Sequence, residues 1–310
     1  MSGEQVSTAQ APGPRVSALG ARKLATSRRS TFRRNFRRFL VANRLNLAGL
    51  IIVVLFLVLS LFGEWLAPHD PFKQDITNSA LLAPSWNHPL GTDELGRDVL
   101  SRVMTGTKYS LQVAVVVLSF SVLFGTLVGA ISGYFGGLVD EILMRLTDLF
   151  LAFPALVLAI AIAATLGRSL TNTMIALATV FWPWYARLVR GQVLAVRERD
   201  FVEAGRSIGS SNLRLMFRHI LPNCISVVII QMTLDVGYAV LTTSSLSFIG
   251  LGAQPPDPEW GTMMATARNY FRDAWWYITF PGVALTLTVF AFNVLGDGLQ
   301  DALDPRSSKR

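Results

Sequence analysis

Long apolar segments without charged residues dominate this sequence and restrict the folds that it can adopt. Residues 47–63 and 109–139 contain no Asp, Glu, Lys or Arg. A helix of about 20 apolar residues is long enough to cross a hydrocarbon core about 30 Å thick. Only 15% of the 310 residues are charged, whereas soluble domains average about 25%. The sequence therefore predicts an all-α polytopic membrane protein.

Six transmembrane helices are predicted, separated by polar segments or by turn residues. They cover residues 45–66, 111–134, 142–166, 172–193, 223–251 and 275–295. Pro154 is expected to kink the third span, and Pro222 is expected to break the chain before the fifth. Gly125, Gly129 and Gly133 lie four residues apart on one face of the second span, so another helix can approach closely there.

The aromatic and charged residues near the span ends give further expectations. Trp275, Trp276 and Tyr277 begin the sixth span and are predicted at the level of the lipid headgroups. Residues 262–272 are predicted to form a short surface helix. Asp148 is expected to pair with Arg145 or to cap backbone.

The distribution of arginines predicts which side of the membrane each segment faces. Arginines concentrate in residues 1–44 and 197–222, whereas residues 67–108 balance acids against bases. Cytoplasmic segments carry the excess of Lys and Arg, so both termini and the 197–222 loop are predicted to be cytoplasmic. The predicted organisation is a basic cytoplasmic tail (1–44), a first transmembrane helix (45–66), an extracytoplasmic loop (67–108), a core domain with five transmembrane helices (109–296) and a cytoplasmic C-terminal tail (297–310).

Several function classes are not expected for this chain. The net charge of +8 is explained by these topogenic arginines, because the basic run directly precedes a span; nucleic-acid binding is not expected. No Gly-Lys-Ser or Gly-Lys-Thr phosphate-binding loop occurs, so no nucleotide or other cofactor is expected on this chain. The single cysteine, Cys224, excludes an internal disulfide. His69, His88 and His219 are expected to lie apart, so no metal site is predicted.

Acidic residues inside the predicted spans are sparse. Ion-coupled carriers use intramembrane ionisable groups, and only Asp148 and Asp235 lie within predicted spans as candidates. The energy for any transport is therefore expected to come from another subunit. Asp235 would be costly facing lipid, by about 2.5 kcal/mol or more. It is expected either to line a pathway or to pair with a polar group, and both alternatives remain open.

The loop at residues 197–222 has the pattern of two short helices joined at a glycine. Gly209 suits a left-handed C-terminal cap, and one of Ser210, Ser211 or Asn212 can cap a second helix. Ala204 and Gly205 are small, as a segment inserted into another protein requires. The pattern favours a mechanical joint that receives a push from another protein, although a solvated, glycine-capped loop would look similar.

The residue spacing in this loop resembles that of a known family. Glu203-Ala204-Gly205, three residues, Gly209, nine residues and His219-Ile220-Leu221-Pro222 resemble the "EAA" loop of permease subunits of ATP-binding-cassette (ABC) importers. Gly205 and His219 replace the family's alanine and isoleucine. Further motifs resemble the second permease of the dipeptide/oligopeptide/nickel importers: LGTDELGRDVLSR (90–102), GYFGG (133–137), SLSFIGLG (245–252) and GDGLQDALDP (296–305).

This resemblance implies a type I ABC importer permease fold and a non-catalytic role in transport. It implies a homologous second permease, two ATPase subunits that bind ATP and Mg, and an extracytoplasmic solute-binding protein, all at a bacterial or archaeal plasma membrane. The residues that it assigns to coupling with the ATPase are Glu203, Ala204, Gly205, Gly209, Ser210, Asn212, Leu213 and Leu215.

Three alternatives remain at the level of sequence. The same architecture could import nickel, glutathione or an oligosaccharide in place of di- or oligopeptides. A self-sufficient secondary carrier would move its cargo with an ion gradient, and an undisturbed 197–222 loop would matter little to it. A membrane-embedded enzyme lacks clustered polar groups to work with. The segment at 93–102 could dock a binding protein or could be a folded structural loop.

Overall fold

The structure is a computed structural model that describes residues 44–303. The predicted basic tail up to residue 43 and the final residues of the C-terminal tail lie outside this range. The helices within it are α1 (Arg44–Leu66), α2 (Ile76–Ser79), α3 (Val99–Phe135), α4 (Gly137–Leu151), α5 (Ala155–Leu166), α6 (Leu170–Arg197), α7 (Asp200–Ser207), α8 (Asn212–Leu215), a π-helix (Met216–Ile220), α9 (Leu221–Phe248), α10 (Trp260–Ala267), a 3₁₀ turn (Arg268–Tyr270) and α11 (Trp275–Leu303). The described chain is mostly helical and contains no strand beyond a single bridge between Thr92 and Asp98.

Four helices of the described chain are long and apolar enough to cross a membrane, judged by length and composition. They are α1, α3, the continuous helix Asn212–Phe248 and α11. Helices α4 and α5 meet at an angle of 85°. They form a fifth span if this bent pair is counted as one. Pro154 stands at this junction, so the predicted kink is in fact a sharp break. Helix α6 is not in this set, since it carries Pro183, Arg187 and polar residues.

Helix α6 packs closely against α3. The three glycines of α3 face it, as predicted from their spacing. A Cβ atom at Gly125 would lie 2.5 Å from the carbonyl oxygen of Trp182, and one at Gly129 would lie 2.3 Å from that of Ala186. These approaches are too close for a side chain, so the glycines allow backbone-to-backbone contact. The side of α6 that faces α3 is thereby covered by protein and does not contact lipid.

Salt bridges join α6 to the broken span beside it. Arg190 binds Asp140 of α4 through two hydrogen bonds of 2.6 Å. Arg187 binds Asp148, also of α4. The expected pairing of Asp148 with Arg145 is therefore wrong. Arg145 instead lies near Glu141, four residues earlier on its own helix.

The segment between α1 and α3 folds around a buried ion network. Asp93 accepts hydrogen bonds from the Arg97 side chain at 2.6 Å and from the Arg97 backbone at 2.9 Å. Arg102 lies 3.4 Å from the same carboxylate and donates to the carbonyls of Pro71 and Pro256. These charged side chains are almost fully buried and interact with one another. This arrangement favours the folded structural loop over a docking surface for these side chains.

Several aromatic residues near the start of α11 are covered by other parts of the chain. Trp276 and Tyr277 are buried, and the Trp276 indole donates to the carbonyl of Thr92 at 3.2 Å. Only Trp275 is exposed, as a headgroup anchor requires. The surface helix predicted at 262–272 is α10 with the following 3₁₀ turn; its first half is mostly buried, whereas residues 268, 269, 271 and 272 are exposed. Trp260, at the start of α10, is fully enclosed and donates to the carbonyl of Val103 at 3.0 Å.

Candidate functional site

The loop at residues 197–222 begins with α7, which ends in a glycine cap. Gly209 has a φ of 77°. Its N–H donates to the carbonyl of Arg206 at 2.9 Å, and the N–H of Ser210 donates to that of Gly205 at 3.1 Å. These two bonds define a Schellman motif, in which a left-handed residue ends a helix and satisfies its last carbonyls. The predicted cap at Gly209 is confirmed.

The second helix of the loop differs from the prediction, which ended it at Pro222. Helix α8 passes through the π-helix into α9, so the chain is helical from Asn212 to Phe248. Pro222 is the second residue of α9 and has no N–H to donate to the turn before it. The preceding N–H, that of Leu221, donates to the carbonyl of Met216 five residues back. This wider turn accommodates the proline ring, which would clash with the preceding turn of a regular α-helix.

One face of the loop is buried against the spans. The side chains of Val202, Leu215 and Ile220 are fully enclosed. They belong to the same apolar cluster as Val189 and Val193 of α6. A displacement of the loop must therefore move α6 and α9 with it, since a close-packed cluster transmits strain.

Gly205 has a local reason to replace the alanine of the family pattern. A Cβ atom at this position would lie 2.7 Å from Cδ2 of Leu215. The absence of that atom lets the buried Leu215 lie directly against α7. Gly205 thus belongs to the joint between the two short helices.

The other side chains of the loop are exposed, and several of them are large and apolar. The predicted coupling residues Glu203, Ala204, Gly209, Asn212 and Leu213 are all exposed, and Ser210 is half-buried. The structure adds large apolar side chains that the sequence reasoning did not single out: Phe201, Ile208 and Phe217. Ile208 is 83% exposed and Leu213 is 62% exposed. We call Phe201, Ile208, Leu213 and Phe217 the apolar face of the loop.

A signal for this apolar face was present in the sequence. Each of its members stands next to a polar residue: Phe201 follows Asp200, Ile208 follows Ser207, Leu213 precedes Arg214 and Phe217 precedes Arg218. Exposed apolar surface next to polar residues is typical of protein interaction sites. Leu215, by contrast, was assigned to the coupling contact but is buried inside the chain.

Helix α3 is linked to the loop through Tyr134. The Tyr134 hydroxyl donates to the Asn212 side chain at 2.9 Å, and the Arg206 guanidinium lies 5.7 Å from the centre of the Tyr134 ring. Arg197 donates to the carbonyls of Gly133 and Tyr134 at 3.1 and 3.2 Å. Asn212 thus has an intramolecular role that the sequence did not indicate.

Asp235 lies on α9, away from the loop, and both of its carboxylate oxygens have partners. Its Oδ2 accepts from the Tyr185 hydroxyl at 2.6 Å, and its Oδ1 accepts from Gln231 at 2.9 Å. Tyr185 is buried on α6. The carboxylate therefore connects two helices of this chain, and a role in the pathway remains a prediction.

Two of the three histidines lie together, contrary to expectation. The rings of His69 and His88 are 4.7 Å apart between centroids. With Asp98 they form the one group of three or more His, Cys, Asp or Glu residues in the described chain whose ligand atoms could hold a metal ion. His219 is exposed within the loop at 197–222.

Comparison with known proteins places the chain in a family. Residues 125–309 match the family described as "Binding-protein-dependent transport system inner membrane component". Residues 30–84 match the N-terminal transmembrane domain of oligopeptide transport permease C. The chain belongs to this family of inner-membrane transport permeases, and the resemblance drawn from its motifs is confirmed.

Similar proteins carry names from peptide transport. The chain is 47% identical over 263 residues to the probable D,D-dipeptide transport system permease protein DdpC of Escherichia coli strain K12, which covers 85% of this chain and 88% of that protein. It is 45% identical over 270 residues to the di/tripeptide transport system permease protein DppC of Pseudomonas aeruginosa, covering 85% and 89%. It is 41% identical over 281 residues to the glutathione transport system permease protein GsiD of Pectobacterium atrosepticum, covering 90% and 92%.

The fold is shared with a solved transporter. A chain from the inward-facing MetNI methionine ABC transporter matches with a TM-score of 0.53 at 16% identity, covering 65% of this chain and 96% of that one. At this identity the match concerns the fold alone. It supports the ABC importer permease architecture for the helical core.

Proposed function

We propose that this chain forms half of the translocation pathway of an ATP-driven importer of di- or oligopeptides. In this arrangement α6 is the span that composition alone does not identify, and it brings the number of spans to six. Six spans leave both termini on one side. The arginines of the 197–222 loop assign that side to the cytoplasm, so the segment between α1 and α3 faces outward.

The apolar face of the loop is the contact that we propose for an ATPase subunit. Ile208 and Leu213 project from it without cover from this chain, and a groove on the partner would remove them from water. Behind them Leu215 and Val202 are enclosed against α6 and α9. Closure of the ATPase pair would thus push a rigid joint and move both spans. This two-sided loop is the observation that carries the proposal.

The partners follow from this division of labour. A homologous second permease supplies the other half of the pathway, two ATPases bind ATP and Mg and hydrolyse the nucleotide, and an extracytoplasmic binding protein delivers the cargo. This chain binds no nucleotide in the proposal and performs no catalysis. The membrane is the bacterial or archaeal plasma membrane, in keeping with the inner-membrane family.

Peptides are the cargo that the relatives favour. Two of the similar permeases are named for dipeptide or di/tripeptide transport. Glutathione, itself a small peptide, is named for a third and is the leading alternative. Nickel and oligosaccharides remain alternatives of the same architecture. Competition for uptake among dipeptides, tripeptides, glutathione and Ni²⁺ in cells that carry the complete transporter would rank them directly.

Substitution of Gly209 tests the coupling role. Leucine disfavours a φ of 77°, at a cost of about 1–2 kcal/mol, whereas asparagine tolerates this region and is similar in size. A Cβ atom here meets no neighbour within 4 Å, so the first side-chain atom of either residue has room. We expect Gly209→Leu to separate ATP hydrolysis from uptake in the reconstituted complex, and Gly209→Asn to keep most of the coupling.

Two results of this experiment would contradict the proposal. Normal uptake and substrate-stimulated ATP hydrolysis in Gly209→Leu would remove the loop from coupling. Uptake by this chain alone, driven by an ion gradient, would instead indicate a secondary carrier.

A further inference from the structure

His69, His88 and Asp98 come from three separate places in the chain and meet at one point. His69 follows the end of α1, His88 lies in the segment before α3, and Asp98 is the N-cap residue of α3. Their ligand atoms all lie within 4.8 Å of one another. The Nδ1 atoms of His88 and His69 lie 2.9 and 3.8 Å from Oδ1 of Asp98.

These distances suit a common metal ion. Zinc binds imidazole nitrogen and carboxylate oxygen at about 2.0–2.2 Å, usually in a tetrahedron. Two ligand atoms of such a tetrahedron are about 3.3 Å apart. The two distances to Asp98 lie on either side of this value. Movements of about half an ångström, within the reach of side-chain rotation, would bring each nitrogen to about 3.3 Å from Oδ1 of Asp98, and the ligand atoms of the two histidines lie within 4.8 Å of each other.

The carboxylate is already oriented for this role. Oδ2 of Asp98 accepts from the backbone N–H and the hydroxyl of Ser101, at 2.8 and 2.7 Å. Oδ1 is thereby turned towards the two imidazoles. Hydrogen bonds of this kind, which fix a ligand from behind, are typical of protein metal sites.

The two histidines are held in place through their backbones. The N–H of His69 donates to the Ser101 hydroxyl at 3.0 Å, and that of His88 donates to the Ser85 hydroxyl at 3.2 Å. Asp98 is 1% exposed in its side chain, whereas His69 is 43% exposed. A metal ion could therefore enter from the solvent beside His69 and keep a water molecule as its fourth ligand.

We propose that His69, His88 and Asp98 form a binding site for a divalent transition-metal ion. Two imidazoles and one carboxylate suit Zn²⁺ and its neighbours in the first row, whereas Mg²⁺ and Ca²⁺ prefer oxygen ligands only. The bound ion would fasten the segment between α1 and α3 to the first turn of α3. Metal binding at this site does not depend on the cargo. The alternative is that His88 and Asp98 form only a hydrogen bond and bind no metal.

Direct titration with Zn²⁺ tests the proposal. The full-length chain is purified in nanodiscs through an affinity tag without histidines, stripped with a chelator and dialysed. Zinc is then titrated in competition with a chromophoric chelator, and the bound metal is counted by mass spectrometry. We expect one Zn²⁺ per chain. His69→Gln and Asp98→Asn should each weaken binding at least tenfold.

The controls separate this site from incidental binding and from unfolding. His219→Gln alters the histidine of the 197–222 loop, which is not part of the proposed metal site, and should leave the affinity for Zn²⁺ unchanged. Asparagine at 98 can still cap α3 through its side-chain oxygen, and His69→Gln leaves the hydrogen bonds of Asp98 intact. Unchanged thermal unfolding of metal-free His69→Gln would show that the fold survives. Absence of stoichiometric binding, or equal binding by His69→Gln and the parent chain, would overturn the proposal.

Discussion

Leu213 and Leu215 are two residues apart in the loop and should respond to truncation in opposite ways. Leu215 is fully buried, whereas Leu213 is 62% exposed. Replacing a buried leucine by alanine costs about 2–5 kcal/mol, because the lost burial is joined by a cavity. For Leu215→Ala we expect a loss of about 3 kcal/mol in the free energy that holds the loop against α6 and α9. Leu213→Ala should change that attachment by no more than about 0.5 kcal/mol, as expected for an exposed position.

Limited proteolysis measures this attachment directly. Arg206 and Arg214 are exposed in the loop and provide trypsin sites on both sides of Gly209. When reclosing is faster than cleavage, the cleavage rate follows the population of the opened loop. A loss of about 3 kcal/mol corresponds to roughly a 100-fold faster cleavage. The chain should be tested in detergent without its partners, so that the ATPase does not protect the loop.

Assembly with the ATPase provides the second readout. Leu213→Ala should weaken co-purification of the ATPase about tenfold, since burying a leucine is worth about 1.5–3 kcal/mol. Leu215→Ala should leave the exposed contact in place but reduce uptake per ATP hydrolysed. Equal cleavage rates for Leu215→Ala and the parent chain would refute the reasoning. The same conclusion would follow if Leu213→Ala loosened the loop as much as Leu215→Ala.

Two further substitutions test the membrane part of the chain. Gly129→Val places side-chain atoms where a Cβ alone would lie 2.3 Å from the Ala186 carbonyl oxygen, so we expect a loss of several kcal/mol of stability and early thermal aggregation in detergent; Gly191→Ala, with open space around it, should unfold like the parent. Asp235→Asn replaces the carboxyl group by an amide whose oxygen can still accept the hydrogen bond from Tyr185. Uptake should change several-fold while the second permease still co-purifies, and loss of co-purification would make the residue structural.

Features that depend on local backbone geometry could be predicted from the sequence. Gly209 ends α7 with a positive φ, because few other residues adopt that conformation at low cost. The glycines at 125, 129 and 133 faced another helix as their spacing indicated. In each case a single residue type carries a physical requirement that neighbours in space do not alter.

Features that depend on contacts across the fold could not be predicted. Trp276 has the pattern of a headgroup anchor, but the carbonyl of Thr92 lies beside it and takes its hydrogen bond. Asp148 pairs with Arg187 on α6 in preference to a residue on its own helix. His69 and His88 meet because the segment before α3 folds back on itself. No periodic pattern in the sequence predicts any of these contacts.

Pro222 shows how a local rule was correct while its consequence was wrong. The ring does disfavour a regular α-helical turn before it. The chain accommodates the ring by forming a π-turn at Met216–Ile220 and remains helical. The predicted break was therefore replaced by a change of helical pitch.

Because the helix contains a π-turn, the number of residues between Gly209 and Pro222 determines how the loop is oriented relative to α9. Each residue of a regular helix turns the chain by about 100° and advances it by about 1.5 Å. Deleting one residue within Met216–Ile220 would let this turn return to regular pitch with little rotation of Leu213 relative to Asp235, whereas deleting one residue from the regular part of the helix would rotate Leu213 by about 100°. The loop should consequently accept many exchanges of side chain but few changes of length. Chimaeras that exchange this loop between permeases should keep its residue count before its composition.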